Sequence, residues 1–160
     1  SVDQIDIQDF IAAAESATQK LLASGAIDTV AKPPAVLAVS LVRNNTGSQI
    51  DTDLLTKRIR VRLNESGKAK TTTTEGIGDP EDPLAKGRKQ EKEFLEDKKV
   101  LKLAADFSLS GKISETRASA GKVRQSTFTF ALSLTDNEGI AVWEGLEDIT
   151  KQGKRPSVGF

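Results

Sequence analysis

Few residues of this chain stand at spacings that enzymes use. Ser119 and Lys122 match the S-x-x-K pattern of serine enzymes that react with penicillin, in which a lysine one helical turn away takes the proton of the serine. In this chain both residues fall in a predicted hairpin loop, and the sequence contains no S-D-N or K-T-G motif. We therefore interpret the spacing as a chance match.

A phosphate-binding loop is a second candidate, because Gly-Lys pairs occur at 67–68, 111–112, 121–122 and 153–154. Such a loop needs a glycine five residues before the pair and Ser or Thr directly after it, so that amides cradle the phosphates and the hydroxyl holds magnesium. All of these pairs lack both features. We interpret them as turn glycines beside exposed lysines.

Acid–base and metal chemistry find equally little support. The carboxylate pairs Asp79/Asp82 and Glu147/Asp148 could act as general acid and base only if they were buried at a fixed separation. We interpret them instead as carboxylates exposed to solvent. The chain has no Cys and no His, which excludes thiol nucleophiles, imidazole bases and thiolate zinc sites. We predict a protein that is not an enzyme and that holds neither a cofactor nor a metal.

The length of the chain favours a single domain, and its charge predicts no strong overall electrostatic field. The 160 residues carry 23 basic and 23 acidic side chains, so no net charge draws the chain towards nucleic acid or a membrane surface. The stretch 57–70 is locally basic and the stretch 136–148 is locally acidic. A nucleic-acid-binding domain that uses the basic stretch stays open as an alternative, although a solvated helix face is the favoured interpretation.

Helical spacing of apolar residues predicts three helices that would position any site. The first begins after Asp6 as N-cap and ends at Gly25. The second begins at Asp51 or Thr52, and the third begins at Asp82-Pro83. These helices carry the apolar stripes that must cover a sheet.

Strands are predicted between and after the helices. The apolar run 35–43 predicts a first strand, the turn-rich stretch 44–49 a loop, and the threonine-rich stretch 68–76 a short strand. From residue 106 onward the apolar spacing changes to period two. It predicts three antiparallel strands, with a loop at 117–121 and a hairpin turn at 136–139.

The order of elements indicates an α+β fold with a small mixed sheet. We predict about five strands, the last three forming an antiparallel meander, with three helices packed mainly on one face. Side chains of a strand alternate between its two faces. The face that meets the helices is predicted to carry Phe128, Phe130, Leu132 and Leu134.

The opposite face of the same strand is predicted to lack a cover. It carries Thr127, Thr129, Ala131 and Ser133, and Trp143 on the last strand is placed beside them because it alternates with Ile140 and Val142. An exposed aromatic among small hydroxylated residues is typical of protein-docking surfaces. The candidate docking residues are Thr127, Thr129, Ala131 and Trp143. Burial of the indole by the segment 151–160 is the open alternative.

Five segments together resemble the LpoB family of penicillin-binding-protein activator lipoproteins. They are "PPAVLAVSLVRNNTG" at 33–47, "AADFSLSGKI" at 104–113, "TFTFALSLTD" at 127–136, "VWEG" at 142–145 and "DITKQGKRPSVGF" at 148–160. The resemblance follows the order of nearly the whole chain and is most specific from residue 104 to the end. The first 30 residues and the 75–100 region match in helix pattern only.

The resemblance implies a non-catalytic periplasmic protein. Residues 1–160 would form a single, monomeric globular domain, similar to the amino-terminal domain of TolB. A lipidated Cys and a linker upstream of Ser1 would anchor it to the inner leaflet of the outer membrane. The domain would bind a class A penicillin-binding protein and stimulate peptidoglycan synthesis, without a nucleic-acid partner. An envelope assembly or secretion lipoprotein subunit of similar fold is the alternative.

Overall fold

The computed structural model describes residues 5–72, 105–121 and 123–149. Its helices are α1, Ile7–Ser24, and α2, Thr52–Glu65, with a short 3₁₀ helix over Ala26–Thr29. Its strands are β1, Ala35–Val39; β2, Arg43–Asn45; β3, Ala69–Thr71; β4, Phe107–Ala120; β5, Val123–Asp136; and β6, Ala141–Ile149. The third predicted helix lies outside the described residues. No helix in the described ranges is long and apolar enough to cross a membrane.

Both helices begin at their predicted N-caps, and α1 ends at Gly25 as predicted. The Asp6 carboxylate accepts hydrogen bonds from the N–H groups of Gln8 and Asp9, and the Asp9 carboxylate accepts one from the N–H of Asp6. Gly25 closes α1 with φ 83°, a left-handed conformation that glycine adopts without steric penalty. At α2, the Asp51 carboxylate accepts the N–H of Leu54 at 3.1 Å. The predicted N-caps are therefore confirmed.

The strands form one mixed sheet in the order β3-β1-β4-β5-β6, with β2 pairing beside β4. β1 runs parallel to β3 and β4, and β2 also runs parallel to β4. The strands β4, β5 and β6 form an antiparallel meander. The predicted α+β class and the meander are confirmed.

The helices cover one face of this sheet and bury the predicted core. Phe130 and Leu134 are completely buried, and Phe128 contacts Phe10 of α1 edge-to-face with ring centroids 5.6 Å apart. A Cβ at Gly111 would lie 3.1 Å from the Phe130 ring and 3.4 Å from Val42. Glycine at this position therefore lets the ring lie across β4.

The predicted first strand is wrong in its second half, because the chain bulges after β1. Val39 pairs with Leu109 and Arg43 pairs with Lys112, so four steps along this chain match three steps along β4. The extra residue turns Leu41 towards solvent, while the Val42 N–H donates to Thr56 Oγ1 of α2 at 2.9 Å. The bulge reverses the alternation of the run, so that Val42 rather than Leu41 is buried.

The two hairpins of the meander differ in how well they were predicted. The loop expected at 117–121 is wrong, since β4 continues to Ala120 and β5 begins at Val123. Gly121, with φ 65°, makes a tighter turn possible there. The turn at 136–139 is confirmed, and the Asp136 N–H donates to the Ile140 carbonyl oxygen at 2.9 Å. Ser119 therefore lies in β4 rather than in the predicted hairpin loop.

Candidate functional site

The side of the sheet opposite α1 and α2 is here called the open face. Thr127, Thr129 and Ala131 lie on it, as predicted, because they alternate with the buried residues of β5. The neighbouring strands β4 and β6 add mainly small or polar side chains beside these residues. In register across β4, β5 and β6, the open face carries the rows Ser110/Ser133/Glu144, Lys112/Ala131/Leu146 and Ser114/Thr129/Asp148.

The prediction that Trp143 shares this face is wrong, because β6 contains a bulge. Thr135 pairs with Ala141, but the next residue of β5, Leu134, pairs with Trp143. One step along β5 thus matches two steps along β6, and Val142 is the extra residue. Without the bulge Trp143 would stand opposite Ser133. With it, the indole is partly buried against the core and lies over Gly145.

The same bulge turns Leu146 onto the open face, where sequence reasoning did not place it. The residue is 70% exposed and stands directly opposite Ala131. Parity counted from Ile140 and Val142 assigns Leu146 to the core, so only the bulge reveals it. Leu146 and Ala131 therefore form an apolar centre between the two polar rows Ser110/Ser133/Glu144 and Ser114/Thr129/Asp148.

A groove on the open face lies beside the bulge between β1 and β2. It encloses about 730 Å³ and is lined by 40–45 of that segment together with Ser110, Lys112, Ala131 and Ser133. Leu41 lines it with an apolar side chain that is 44% exposed. Lys112 and Arg43 also line it, and neither forms an ion pair with another residue of the described ranges. The groove is therefore basic with one apolar wall.

The β6 side of the open face is acidic. Thr129 Oγ1 donates to Asp148 at 3.2 Å, and Ser133 Oγ donates to Glu144 at 3.4 Å. These hydroxyls hold the two carboxylates against the sheet while leaving their charge exposed. The open face therefore changes from basic at β2 and β4 to acidic at β6.

Glu115 of β4 connects the end of the β4–β5 hairpin to the segment that follows β2. Its carboxylate accepts hydrogen bonds from Arg117 Nε at 3.1 Å, from the Gly47 N–H at 2.9 Å and from Ser126 Oγ at 2.9 Å. Its side chain is only 8% exposed. The Arg117 bond, followed by those of Gly47 and Ser126, lowers the pKa of Glu115 from 4.5 to about 2.

The basic stretch 57–70 lies on the helix side of the molecule and is partly neutralised there. Arg58 Nη1 lies 3.3 Å from the Glu15 carboxylate of α1. Lys68 Nζ contacts the Leu22 carbonyl oxygen at 3.2 Å and the Asp28 carboxylate at 3.4 Å. This arrangement is that of a solvated helix face with ion pairs to neighbouring elements.

The candidate acid–base pair Glu147/Asp148 is not brought together, and the pair Asp79/Asp82 lies outside the described residues. Glu147 and Asp148 stand on opposite faces of β6, where Glu147 contacts Lys20 of α1 at 2.6 Å and Asp148 faces Thr129. They cannot act jointly on one substrate. Among the described residues, no group of three His, Cys, Asp or Glu side chains is close enough to hold a metal ion.

Comparisons with known proteins agree with this architecture. A family model described as peptidoglycan-synthase activator LpoB matches residues 9–149. The LpoB C-terminal domain from Salmonella enterica is 19% identical, with a TM-score of 0.55 over 87% of this chain and 96% of that one. The LpoB C-terminal domain from Escherichia coli is 18% identical, with a TM-score of 0.52 over 86% and 98%. No curated protein matches the chain in sequence.

The two kinds of match support different statements. At these identities the solved structures show a common fold. The family model covers most of the chain, including every described strand and helix α2. The chain belongs to the LpoB family of peptidoglycan-synthase activators.

Proposed function

We propose that this chain is a non-catalytic periplasmic domain that binds a class A penicillin-binding protein and stimulates its synthesis of peptidoglycan. Family membership supports the role of activator. We further propose that residues 1–160 form one monomeric domain, which a lipid anchor upstream of the chain attaches to the outer membrane. The domain itself would contribute no catalytic group.

The open face is the proposed docking surface, and its composition is the observation that carries this choice. Small side chains such as Ala131 and Thr127 let a partner approach the strands closely. Leu146 and Leu41 offer apolar area that binding can remove from water. Charged side chains surround this centre, as at protein interfaces with an apolar core and a polar rim.

Activation by such a surface requires differential affinity. A domain that bound the active and inactive conformations of the synthase equally well would change neither population. Each tenfold preference for the active conformation corresponds to about 1.4 kcal/mol. The open face is basic at one end and acidic at the other. A partner with complementary charges therefore binds in one orientation only.

The test measures glycosyltransferase rate of the organism's purified class A synthase with and without this chain. We expect stimulation by the wild-type chain and a loss of at least about tenfold in apparent affinity for Ala131→Glu, which places a charge in the apolar centre. The matched control is Ala12→Glu, the same substitution at an exposed position of α1. Absence of both binding and stimulation by the wild-type chain would contradict the proposal.

The alternatives predict different results in the same experiment. A subunit of an envelope assembly would form a stable ring or a stoichiometric complex with other envelope proteins and would leave the synthase rate unchanged. A nucleic-acid-binding domain would bind in a strongly salt-dependent manner through Arg58, Arg60 and Arg62. The ion pairs of Arg58 and Lys68 do not favour that function.

A further inference from the structure

The outer edge of β6 has an unpaired backbone in the part of the chain that the structure describes. β6 pairs with β5 on one side, and it ends the strand order β3-β1-β4-β5-β6. After the bulge at Val142, residues 143–149 pair with β5 without further interruption. A regular edge of this length can accept an additional strand through its free N–H and C=O groups.

Exposed apolar side chains are concentrated at this edge. Of the large apolar residues that are exposed, Ile140 at 55%, Val142 at 43% and Leu146 at 70% all lie on β6 or immediately before it. Proteins commonly protect sheet edges with lysine or with inward-pointing charges. Here the segment 136–149 contains no basic residue.

The charge of the edge is acidic and selects its occupant. Glu144 and Asp148 flank Leu146 on the open face, whereas Glu147 on the other face is already paired with Lys20. In an antiparallel pair of two β6 strands centred on Leu146, Glu144 of one copy would face Asp148 of the other. Like charges directly opposite one another are destabilising, so the edge disfavours a second copy of this chain.

We propose that the β6 edge binds an extended basic segment of a partner protein as an added strand. The segment carries a basic, an apolar and a basic side chain at alternating positions, which face Glu144, Leu146 and Asp148. Backbone hydrogen bonds to residues 143–149 provide the attachment, and the alternating side chains provide the selection. This inference does not depend on the synthase as partner, because it follows from the edge alone.

The test uses the capped synthetic peptide TKTVTKT, whose lysines and valine share one face of a strand, and its charge-reversed form TETVTET. Binding is followed by the amide signals of the isotope-labelled chain in NMR and by hydrogen exchange. We expect TKTVTKT to bind about tenfold more tightly than TETVTET, with the difference reduced by added salt. The β6 amides that do not bond to β5 become protected from exchange when TKTVTKT is bound.

A pair of matched variants separates the edge from general electrostatics. Glu144→Gln with Asp148→Asn keeps the hydrogen-bond acceptors of the edge but removes its two charges, and we expect about tenfold weaker binding of TKTVTKT. The control is Asp53→Asn with Glu65→Gln, which makes the same two chemical changes at exposed positions of α2. It should leave the affinity for the peptide unchanged.

Three results would overturn the inference. They are equal binding of both peptides, protection of amides outside β6 only, and self-association of the chain through β6 that the peptide does not disrupt. The synthase assay with Ala131→Glu is read independently of the peptide, so a failure there concerns the proposed function and not the edge.

Discussion

The two faces of β5 share one backbone and differ completely in what lies against them. On one face Phe130, Leu132 and Leu134 are buried under the helices; on the other, Thr127 is exposed and Ala131 and Ser133 are partly exposed. The first set stabilises the fold through the removal of apolar area from water and through close packing. The second set is available for a partner. The proposed function thus assigns stability and binding to alternate residues of one strand.

This separation implies that substitutions on the two faces have distinct effects. We expect a change on the covered face to alter the free energy of unfolding, and a conservative change on the open face to alter only the proposed binding. The contrast is sharpest where neighbouring residues of β5 are compared, because backbone position and strand pairing are then nearly the same.

The largest expected effect is on the covered face. Phe130→Ala should lower the free energy of unfolding by about 3–5 kcal/mol, since it removes a completely buried ring and leaves a cavity. Its neighbour Thr129→Val, which keeps the branched shape and removes one partly exposed hydroxyl, should change it by less than about 1 kcal/mol. Urea unfolding measures both. Equal destabilisation by the two variants would contradict the assignment of the faces.

A smaller loss is expected from overpacking at the same place. Gly111→Ala brings a methyl group to 3.1 Å from the Phe130 ring and 3.4 Å from Val42, and should lower the free energy of unfolding by about 1–3 kcal/mol. Combining it with Phe130→Leu should destabilise less than the sum of the two single changes, because the smaller side chain leaves room for the methyl group. Strict additivity in urea unfolding would show that the two residues do not meet.

Acid stability should depend on Glu115. Because its pKa is lowered from 4.5 to about 2 in the folded chain, its contribution is fully present above about pH 4.5 and is lost as the pH falls towards 2. Glu115→Gln should therefore flatten the decline in stability over this range. The check is urea unfolding at several pH values, with the exposed Glu65→Gln as control. A decline as steep in Glu115→Gln as in the wild type would contradict the anchoring role.

The smallest effect is spectroscopic and tests the β6 bulge. Trp143 is the only tryptophan, and the bulged register places it opposite Leu134 rather than Ser133. Leu134→Ala should therefore shift its emission to longer wavelength as water gains access to the indole. Ser133→Ala on the open face should leave the emission unchanged. A shift in Ser133→Ala but not in Leu134→Ala would contradict the bulge and support the register without it.

What sequence predicts here is the periodic part of the fold. The caps at Asp6 and Asp51 and the alternation around Phe130 depend on local spacing, and each is confirmed. The errors in the second half of the first strand and at Trp143 share one cause, since a single extra residue in a strand reverses its parity. Bulges depend on pairing between distant strands, and local patterns do not contain that information. The groove and the exposure of Leu146 were missed for this reason.

Cross-linking shows whether the open face contacts the synthase, as we propose. The chain contains no Cys. A thiol-reactive photo-cross-linker therefore labels only the cysteine that is introduced. Photo-cross-linkers at Ala131→Cys and Thr127→Cys are compared with one at Ala12→Cys on the exposed side of α1, each mixed with the class A synthase. We expect cross-links to the synthase from the two β5 positions and none from α1. Cross-links from α1 alone would show that the helices, and not the open face, form the docking surface.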